Sequence, residues 1–208
     1  MLDANQRPDY TGRIVQIPKA DKVYAAILSI AALLYLFSVL QVLGRRKCGY
    51  RHIGHTISEL GETGAPDQRL VAYGLFLPIG LAMGLVAWMV APASPATAAL
   101  AAAIAIGYLG AAQFPCDPGS PISGSFRQAM HNLLGGVQYV GGALALMRLA
   151  EIDEIAFKAA SFALFGTAIL LTFLSSDGKG VRGLVQRVGE VVLFASLALA
   201  AWRLGVPF

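Results

Sequence analysis

All three histidines of this chain lie in short polar motifs that interrupt long apolar stretches. His52 and His55 follow the first apolar stretch, Asp117 follows the third, and His131 lies at the start of the fourth. Imidazole and carboxylate groups bind zinc and carry out acid–base chemistry. Because ionisable groups are costly in or near a bilayer, such a cluster predicts a functional site.

The composition indicates an integral membrane protein. Of the 208 residues, 56% are hydrophobic and 13% are charged, and the mean hydropathy is +0.63. A transmembrane helix needs about 20 apolar residues. Six stretches meet this requirement, at residues 23–43, 70–91, 96–114, 127–149, 156–175 and 183–204. We therefore predict an all-α bundle of six transmembrane helices over residues 23–208, preceded by an extramembrane segment at residues 1–22.

Six crossings place the loops after the first, third and fifth spans on one side of the membrane, here called the motif side. The basic run from Arg45 to Lys47 directly follows the first span, which predicts a cytoplasmic motif side. The opposite orientation would allow Cys48 and Cys116 to pair in an oxidising compartment. The net charge of +4 indicates attraction to lipid headgroups, and no nucleic-acid motif is present.

A short interfacial helix is expected in the first motif loop, because the loop is too long to be a simple turn. At helical spacing, one face is polar, and its members are His52, His55, Thr56 and Glu59. Ile53, Ile57 and Leu60 form the other face, and Gly61 ends the helix. The polar face either holds a metal through His55 and Glu59 or simply faces water at headgroup level.

The other two motifs place Asp117 and His131 near each other. Two prolines stiffen the turn around Asp117, although aspartate before proline also serves as a turn initiator. Ser125 and Gln128 have the spacing of a capping box, which places His131 in the second turn of the fourth span. His131 shares a helical face with Gln138, and we expect this face to point into the bundle. An interhelical hydrogen bond is the alternative role for His131.

The sixth span carries Glu190 close to Arg187. A carboxylate at this depth needs a partner, so an ion pair with Arg187 is expected. Alternatively, Glu190 orients a ligand histidine.

Together these motifs resemble the prokaryotic membrane proteins collected as domain of unknown function 998. The resemblance rests on residues 55–61 (HTISELG), residues 114–117 (FPCD) and the pair His131–Asn132. It covers residues from about 23 to 205, and it implies six helices in a prokaryotic cytoplasmic membrane. It implies no particular activity.

The chain is also similar, more distantly, to the membrane hydrolases of the alkaline ceramidase and adiponectin-receptor group. Serine, aspartate and histidine residues hold zinc in that group, and His55, Ser58, Asp117 and His131 are the same residue types here. The patterns differ, because that group shows Ser-x-x-x-His and His-x-x-x-His and has seven spans.

From these residues we predict a membrane-embedded, metal-dependent hydrolase acting on a lipid amide, ester or headgroup linkage. His55, Asp117 and His131 would bind a divalent metal, with zinc the expected ion, and an open position would hold an activated water.

The remaining motif residues would carry the chemistry at that metal. Glu59 would act as general base or as fourth ligand. Ser58 and Asn132 would donate hydrogen bonds to the metal-bound water or to the developing oxyanion.

Two other classes of function remain open. The polar cluster can line the cavity of a non-enzymatic protein that binds or transports a lipid or metabolite. Alternatively, His55 and His131 can be axial ligands of haem b in an electron-transfer protein, although a loop histidine is awkwardly placed for that role. Membrane lipids are the expected partners of the protein, together with a lipid-like small-molecule substrate.

Overall fold

The chain forms six long helices, consistent with the six apolar stretches. The computed structural model describes residues 19–151, 154–174 and 180–205, so most of the predicted segment 1–22 lies outside the described residues. No strand occurs in the described parts of the chain. The helices are α1 (Lys19–Arg46), α2 (Gln68–Val90), α3 (Pro95–Gln113), α4 (126–149), α5 (Glu154–Phe173) and α6 (Arg182–Gly205).

Five of these helices, all except α4, are long and apolar enough to cross a membrane. The fourth predicted span is less apolar because its first turns carry Arg127, Gln128, His131 and Asn132. It nevertheless packs along its whole length against α3, which is one of the five. The protein is therefore a polytopic integral membrane protein, in which α4 is the most polar helix of the bundle.

Two π-helical turns interrupt regular α-helix, at Val71–Phe76 in α2 and at Val137–Gly141 in α4. The extra residue in such a turn changes the direction in which the following side chains point, and π turns often occur at functional sites. The turn in α4 lies midway along the helix and contains Gln138 and Tyr139, both buried. It therefore presents polar side chains at mid-bundle depth.

The way in which the helices pack against each other brings the motif loops together. The helices α2 and α3 form a hairpin. Ser94 caps the second helix, because its hydroxyl oxygen accepts a hydrogen bond from the Thr97 amide at 3.1 Å. The helix α1 packs against α6 and α2. Buried large side chains fill the core between them, including Leu36, Leu40, Met83, Ile104 and Phe194. Because α1 is paired with α6, the loop after α1 meets the start of α6.

The loop after α1 is less helical than its sequence suggests. Only Ser58–Gly61 is helical, as a single 3₁₀ turn. The predicted division of this segment into an exposed polar face and a buried apolar face is wrong, because Ile53 is 54% exposed whereas Glu59 is 3% exposed. The physical reason is that the side chain of Glu59 turns inward to bond with Thr56, so it does not share a polar, water-facing surface with His55.

Candidate functional site

Glu59 and Thr56 bond reciprocally at the start of the 3₁₀ turn. The Glu59 carboxylate accepts hydrogen bonds from the Thr56 amide at 2.7 Å and from its hydroxyl at 3.0 Å. In return, the Thr56 hydroxyl oxygen accepts from the Glu59 amide at 3.4 Å. This arrangement is a capping box, in which a threonine and a glutamate three residues later satisfy each other's backbone donors.

Arg187 of α6 connects the first half of the same loop to the bundle. Its guanidinium donates to the Tyr50 hydroxyl at 2.6 Å and contacts the Nδ1 atom of His52 at 3.1 Å. It also donates to the carbonyl oxygens of His55 and Gly183. The expected ion pair between Arg187 and Glu190 is therefore not formed, because the guanidinium points towards the loop.

Burial and nearby charge alter the acid–base behaviour of this part of the loop. Burial, reinforced by the positive charges of Arg187 and Arg45, lowers the pKa of His52. Burial also raises the pKa of Tyr50 to about 12. The ring of His55 stacks on Tyr50, and its Nδ1 atom accepts a hydrogen bond from the Arg51 amide at 2.9 Å.

Asp117 organises the start of α4. Its two carboxylate oxygens accept hydrogen bonds from the amide and the hydroxyl of Ser125, both at 2.7 Å. These two bonds hold the pKa of the Asp117 carboxyl below its usual range. Ser125 caps α4, as predicted, by accepting from the Gln128 amide at 3.2 Å. The Gln128 side chain bonds instead to the Asp117 amide and to Asn132.

His131 lies beside the turn that follows α3. Its Nδ1 atom is 2.9 Å from the carbonyl oxygen of Phe114. Asn132 donates to the carbonyl oxygens of Pro121 and Ile122. The predicted proximity of His131 to the second motif is thus confirmed, and the contact is a hydrogen bond to backbone.

The three proposed metal ligands are not arranged as a metal site. His55 Nδ1, both oxygens of Asp117 and His131 Nδ1 each bond to a different local partner. Within the described ranges, no group of three or more His, Cys, Asp or Glu side chains is placed to hold a metal ion. The residues do not fit a three-ligand metal centre in this arrangement, so metal binding stays a prediction.

A cavity of about 300 Å³ lies between the motif loops and the middle of the bundle. Three of the six residues predicted for the site line it, namely Ser58, His131 and Asn132. His55, Glu59 and Asp117 do not belong to its lining. The lining of the cavity extends along α4 to Gln138, Tyr139 and Val140, and it includes Gly107 of α3. A methyl group at Gly107 would overlap the Gln138 side chain, so glycine permits this close approach.

The cavity lies between α4 and α5 where these two helices separate from each other. These helices pack together along residues 137–149 and diverge over residues 126–136. Ala168, Leu171 and Thr172 of α5 line the far wall. Side chains added at Gly135 or Gly136 of α4 would meet open space. The cavity is therefore partly open between two helices of the bundle.

Arg182 is the one permanently charged side chain among the described residues that line the cavity. Its guanidinium donates to the carbonyl oxygens of Gly119 at 3.2 Å and Ser120 at 2.7 Å. The remaining polar lining consists of neutral hydroxyl and amide groups together with His131. None of the described lining residues is a carboxylate, so this lining favours an anionic or neutral polar group over a cation.

Glu190 of α6 is buried beneath this cavity, with 2% of its surface exposed. It accepts hydrogen bonds from the hydroxyls of Tyr108 at 2.8 Å and Tyr139 at 2.6 Å. The amide of Gln138 donates to both of its oxygens, at 2.9 and 3.1 Å. Two helices, α3 and α4, thus contribute uncharged donors to one carboxylate of α6.

The two cysteines are free and differ in exposure. Cys48 is exposed, whereas Cys116 is fully buried and contacts the Ser58 carbonyl oxygen at 3.4 Å. Burial raises the pKa of the Cys116 thiol to about 12. The alternative of a disulfide between them is not realised in this structure, and Cys116 is a poor source of a thiolate ligand.

The sequence analysis did not recognise the tyrosines, Arg182 or Gln186 as site residues. A signal was available for the tyrosines, because a hydroxyl inside an apolar helix needs a partner. The Thr56-x-x-Glu59 pattern was also visible as a capping box. No local pattern distinguishes Arg182 from the other basic residues near the helix ends.

Comparison with known proteins identifies the family. Residues 29–203 match the sequence profile of the family described as "Protein of unknown function (DUF998)". The match covers most of the chain, so the protein belongs to this family. No curated protein matches the chain significantly, and no solved structure does so.

Proposed function

We propose that this protein binds the anionic head of a membrane amphiphile, such as a phospholipid, in the cavity between α4 and α5. The observation that carries the proposal is a cavity with both polar and apolar lining, within a bundle of apolar helices, that is partly open between two of them. Its volume of about 300 Å³ lies at the lower end of the range for small-molecule sites. A headgroup fits this volume, and the acyl chains would remain in the bilayer.

The charge of the lining favours an anion. Arg182 supplies a positive charge to which no carboxylate of the described residues is bonded, and the neutral amide groups of Asn132, Gln138 and Gln186 also line the cavity. Charge-assisted hydrogen bonds to phosphate are stronger than neutral ones, particularly where water is partly excluded. A phosphate group near Arg182 would therefore be held at the motif-side boundary.

The test uses phosphatidylglycerol and phosphatidylcholine as probes, with native mass spectrometry of the protein in detergent. Gly136→Phe fills the cavity, because a side chain at this lining position meets open space. Gly84→Phe is the matched control, since Gly84 also faces open space but does not line the cavity. We expect the wild type and Gly84→Phe to retain phosphatidylglycerol preferentially, and Gly136→Phe to lose it by about tenfold, equivalent to about 1.4 kcal/mol.

Equal retention by the wild type and Gly136→Phe would contradict binding in the cavity. Equal retention of the two lipids by the wild type would contradict selection of an anion. Both variants place phenylalanine in a helix, so a general effect of the substitution would appear in both.

Hydrolysis of a bound amphiphile is a second candidate, because Ser58, His131 and Asn132 line the same cavity. The test is mass spectrometry of lipids incubated with the wild type and with Ser58→Ala or His131→Gln. A product formed only by the wild type supports hydrolysis. Elemental analysis completes the test, since stoichiometric zinc lost in His131→Gln would support the metal-dependent form.

We further propose that the motif side faces the cytoplasm of a prokaryotic cell. The basic residues at the end of α1 support this orientation, because charges close to a span end determine topology. Arg46 and Lys47 are also joined to the following loop by ion pairs with Asp67 and Glu62.

A further inference from the structure

We propose that Glu190 is a proton-binding site inside the bundle, and that Gln138 and Tyr139 couple its protonation to occupancy of the cavity. The coupling half of this proposal rests on the proposed function, whereas the proton site itself does not. Nothing in the family description assigns a role to any of these residues.

The position of Glu190 is unusual for this chain. It is the only charged residue of the six helices that lies well away from the helix ends. Its hydrogen-bond partners are Tyr108, Gln138 and Tyr139, all of them uncharged. The ion pairs Arg46–Asp67, Lys47–Glu62 and Arg148–Glu151 lie elsewhere in the protein.

Two opposing effects act on this carboxyl group. Burial in a low-dielectric interior disfavours the charged form, and a buried carboxylate without a cation tends to become neutral by taking up a proton. The donated hydrogen bonds favour the ionised form. Because strong effects of opposite sign meet at one group, a small change in the donors shifts the balance between its two protonation states.

The other titratable and charged groups around Glu190 are few. On the neighbouring helices, Tyr108 of α3 and Tyr139 of α4 face it directly. The charged residues of α1 and α5 lie near the helix ends, away from the level of Glu190. On α6 itself, Arg187 lies about one turn earlier, and its guanidinium is bonded to Tyr50, His52 and two backbone carbonyls.

The connection to the cavity is direct, because Gln138 and Tyr139 both line the cavity and both donate to Glu190. A ligand oxygen that accepts a hydrogen bond from either group withdraws a donor from the carboxylate. The ionised form then loses stabilisation, and Glu190 takes up a proton from the aqueous phase. By reciprocity, protonation of Glu190 frees these donors and strengthens ligand binding.

The proton site is tested without any ligand, by infrared difference spectroscopy of the purified protein over a pH series. We expect one component of the carboxyl carbonyl band to appear as the pH falls and to be absent in Glu190→Gln, whereas the components of the other carboxyl groups remain. Tyr108→Phe removes one donor from the ionised form, so it should move the midpoint of this titration to higher pH. A titrating band that persists unchanged in Glu190→Gln, or an unshifted midpoint in Tyr108→Phe, would overturn the assignment.

Coupling is tested with phosphatidylglycerol retention, measured by native mass spectrometry at acidic and at neutral pH. Allosteric couplings are typically 5- to 150-fold, and we expect wild-type retention to increase by about fivefold or more at acidic pH. Tyr139→Phe should reduce this increase. Tyr108→Phe is the matched control, because Tyr108 bonds to Glu190 but does not line the cavity. Over a pH series it should keep the increase and only move it to higher pH, in step with the infrared titration.

Glu190→Gln should abolish the part of the pH effect that depends on this carboxyl group. An unchanged pH effect in Glu190→Gln would refute the coupling. Failure of the wild type to retain phosphatidylglycerol at any pH would refute the proposed function instead, and the infrared titration would still decide the proton site.

Discussion

Glu59 and Thr56 cap each other, with the Glu59 carboxylate 2.7 Å from the Thr56 amide nitrogen. This bond gives Glu59, the predicted general base, a structural role in the first motif loop. It also keeps Glu59 out of the cavity that Ser58, the preceding residue, helps to line.

The capping role predicts different effects for two substitutions of Glu59. Glutamine serves in a capping box as well as glutamate does, so Glu59→Gln should retain near wild-type stability. Glu59→Ala should lose about 1 kcal/mol of unfolding free energy, the typical effect of removing a cap. Thermal denaturation in detergent measures both, with Thr56→Ala expected to resemble Glu59→Ala. A loss of lipid turnover in stably folded Glu59→Gln would instead support the predicted role of Glu59 as general base.

Arg187 should control the acid–base behaviour of His52. Its positive charge contributes to lowering the pKa of His52, after the larger effect of burial. Arg187→Gln should therefore raise the pKa of His52 towards the ordinary histidine value, as measured by NMR titration with His52→Gln for assignment. An unchanged pKa would contradict this electrostatic contact.

The sign of the linked stability change follows from the direction of this shift. Because the folded protein binds a proton at His52 less readily than the unfolded chain, falling pH reduces stability through the ordinary histidine range. The effect on stability should be smaller in Arg187→Gln, once allowance is made for the hydrogen bonds lost from the guanidinium.

Asp117 should stabilise the start of α4 only while it is ionised. Its pKa is lowered by the two hydrogen bonds from Ser125. The contribution is therefore complete above the ordinary aspartate pKa, and it is lost as the pH falls through the lowered value. The difference in thermal midpoint between the wild type and Asp117→Asn should shrink over that range. Asp67→Asn is the control, because Asp67 pairs with an exposed arginine and such pairs contribute little.

The two cysteines should differ sharply in reactivity. A maleimide should label Cys48 in the folded protein and leave Cys116 unmodified, because Cys116 is buried and its pKa is raised to about 12. Unfolding should expose both thiols. Rapid labelling of both in the folded state would show that the loop packs differently.

The same chemistry tests the topology. In a Cys48→Ser background, a cysteine introduced at exposed Glu151 should be labelled from the side opposite to Cys48 in the wild type. Labelling from the same side would contradict the placement of α4 across the membrane. In intact cells, protection of Cys48 from an impermeant reagent would support a cytoplasmic motif side.

Much of the architecture could be predicted from the sequence, because the thickness of the bilayer requires long apolar helices. The apolar stretches predicted the six helices, and Ser125 predicted the start of α4 through local capping chemistry. Helical spacing predicted that the face of α4 with His131 and Gln138 points into the bundle. The prediction is confirmed, because Gln138 is buried and His131 lines the cavity. Each of these features depends on residues close together in the chain.

The partners of the polar side chains were decided by the tertiary structure. Arg187 was expected to pair with Glu190 because they are neighbours on one helix, but their side chains point to different surroundings. Donors to Glu190 come from α3 and α4, and their meeting depends on how each helix is rotated and on the π turn at Val137–Gly141. Hydrogen bonding is directional and short-ranged, so spacing along one helix does not specify such contacts.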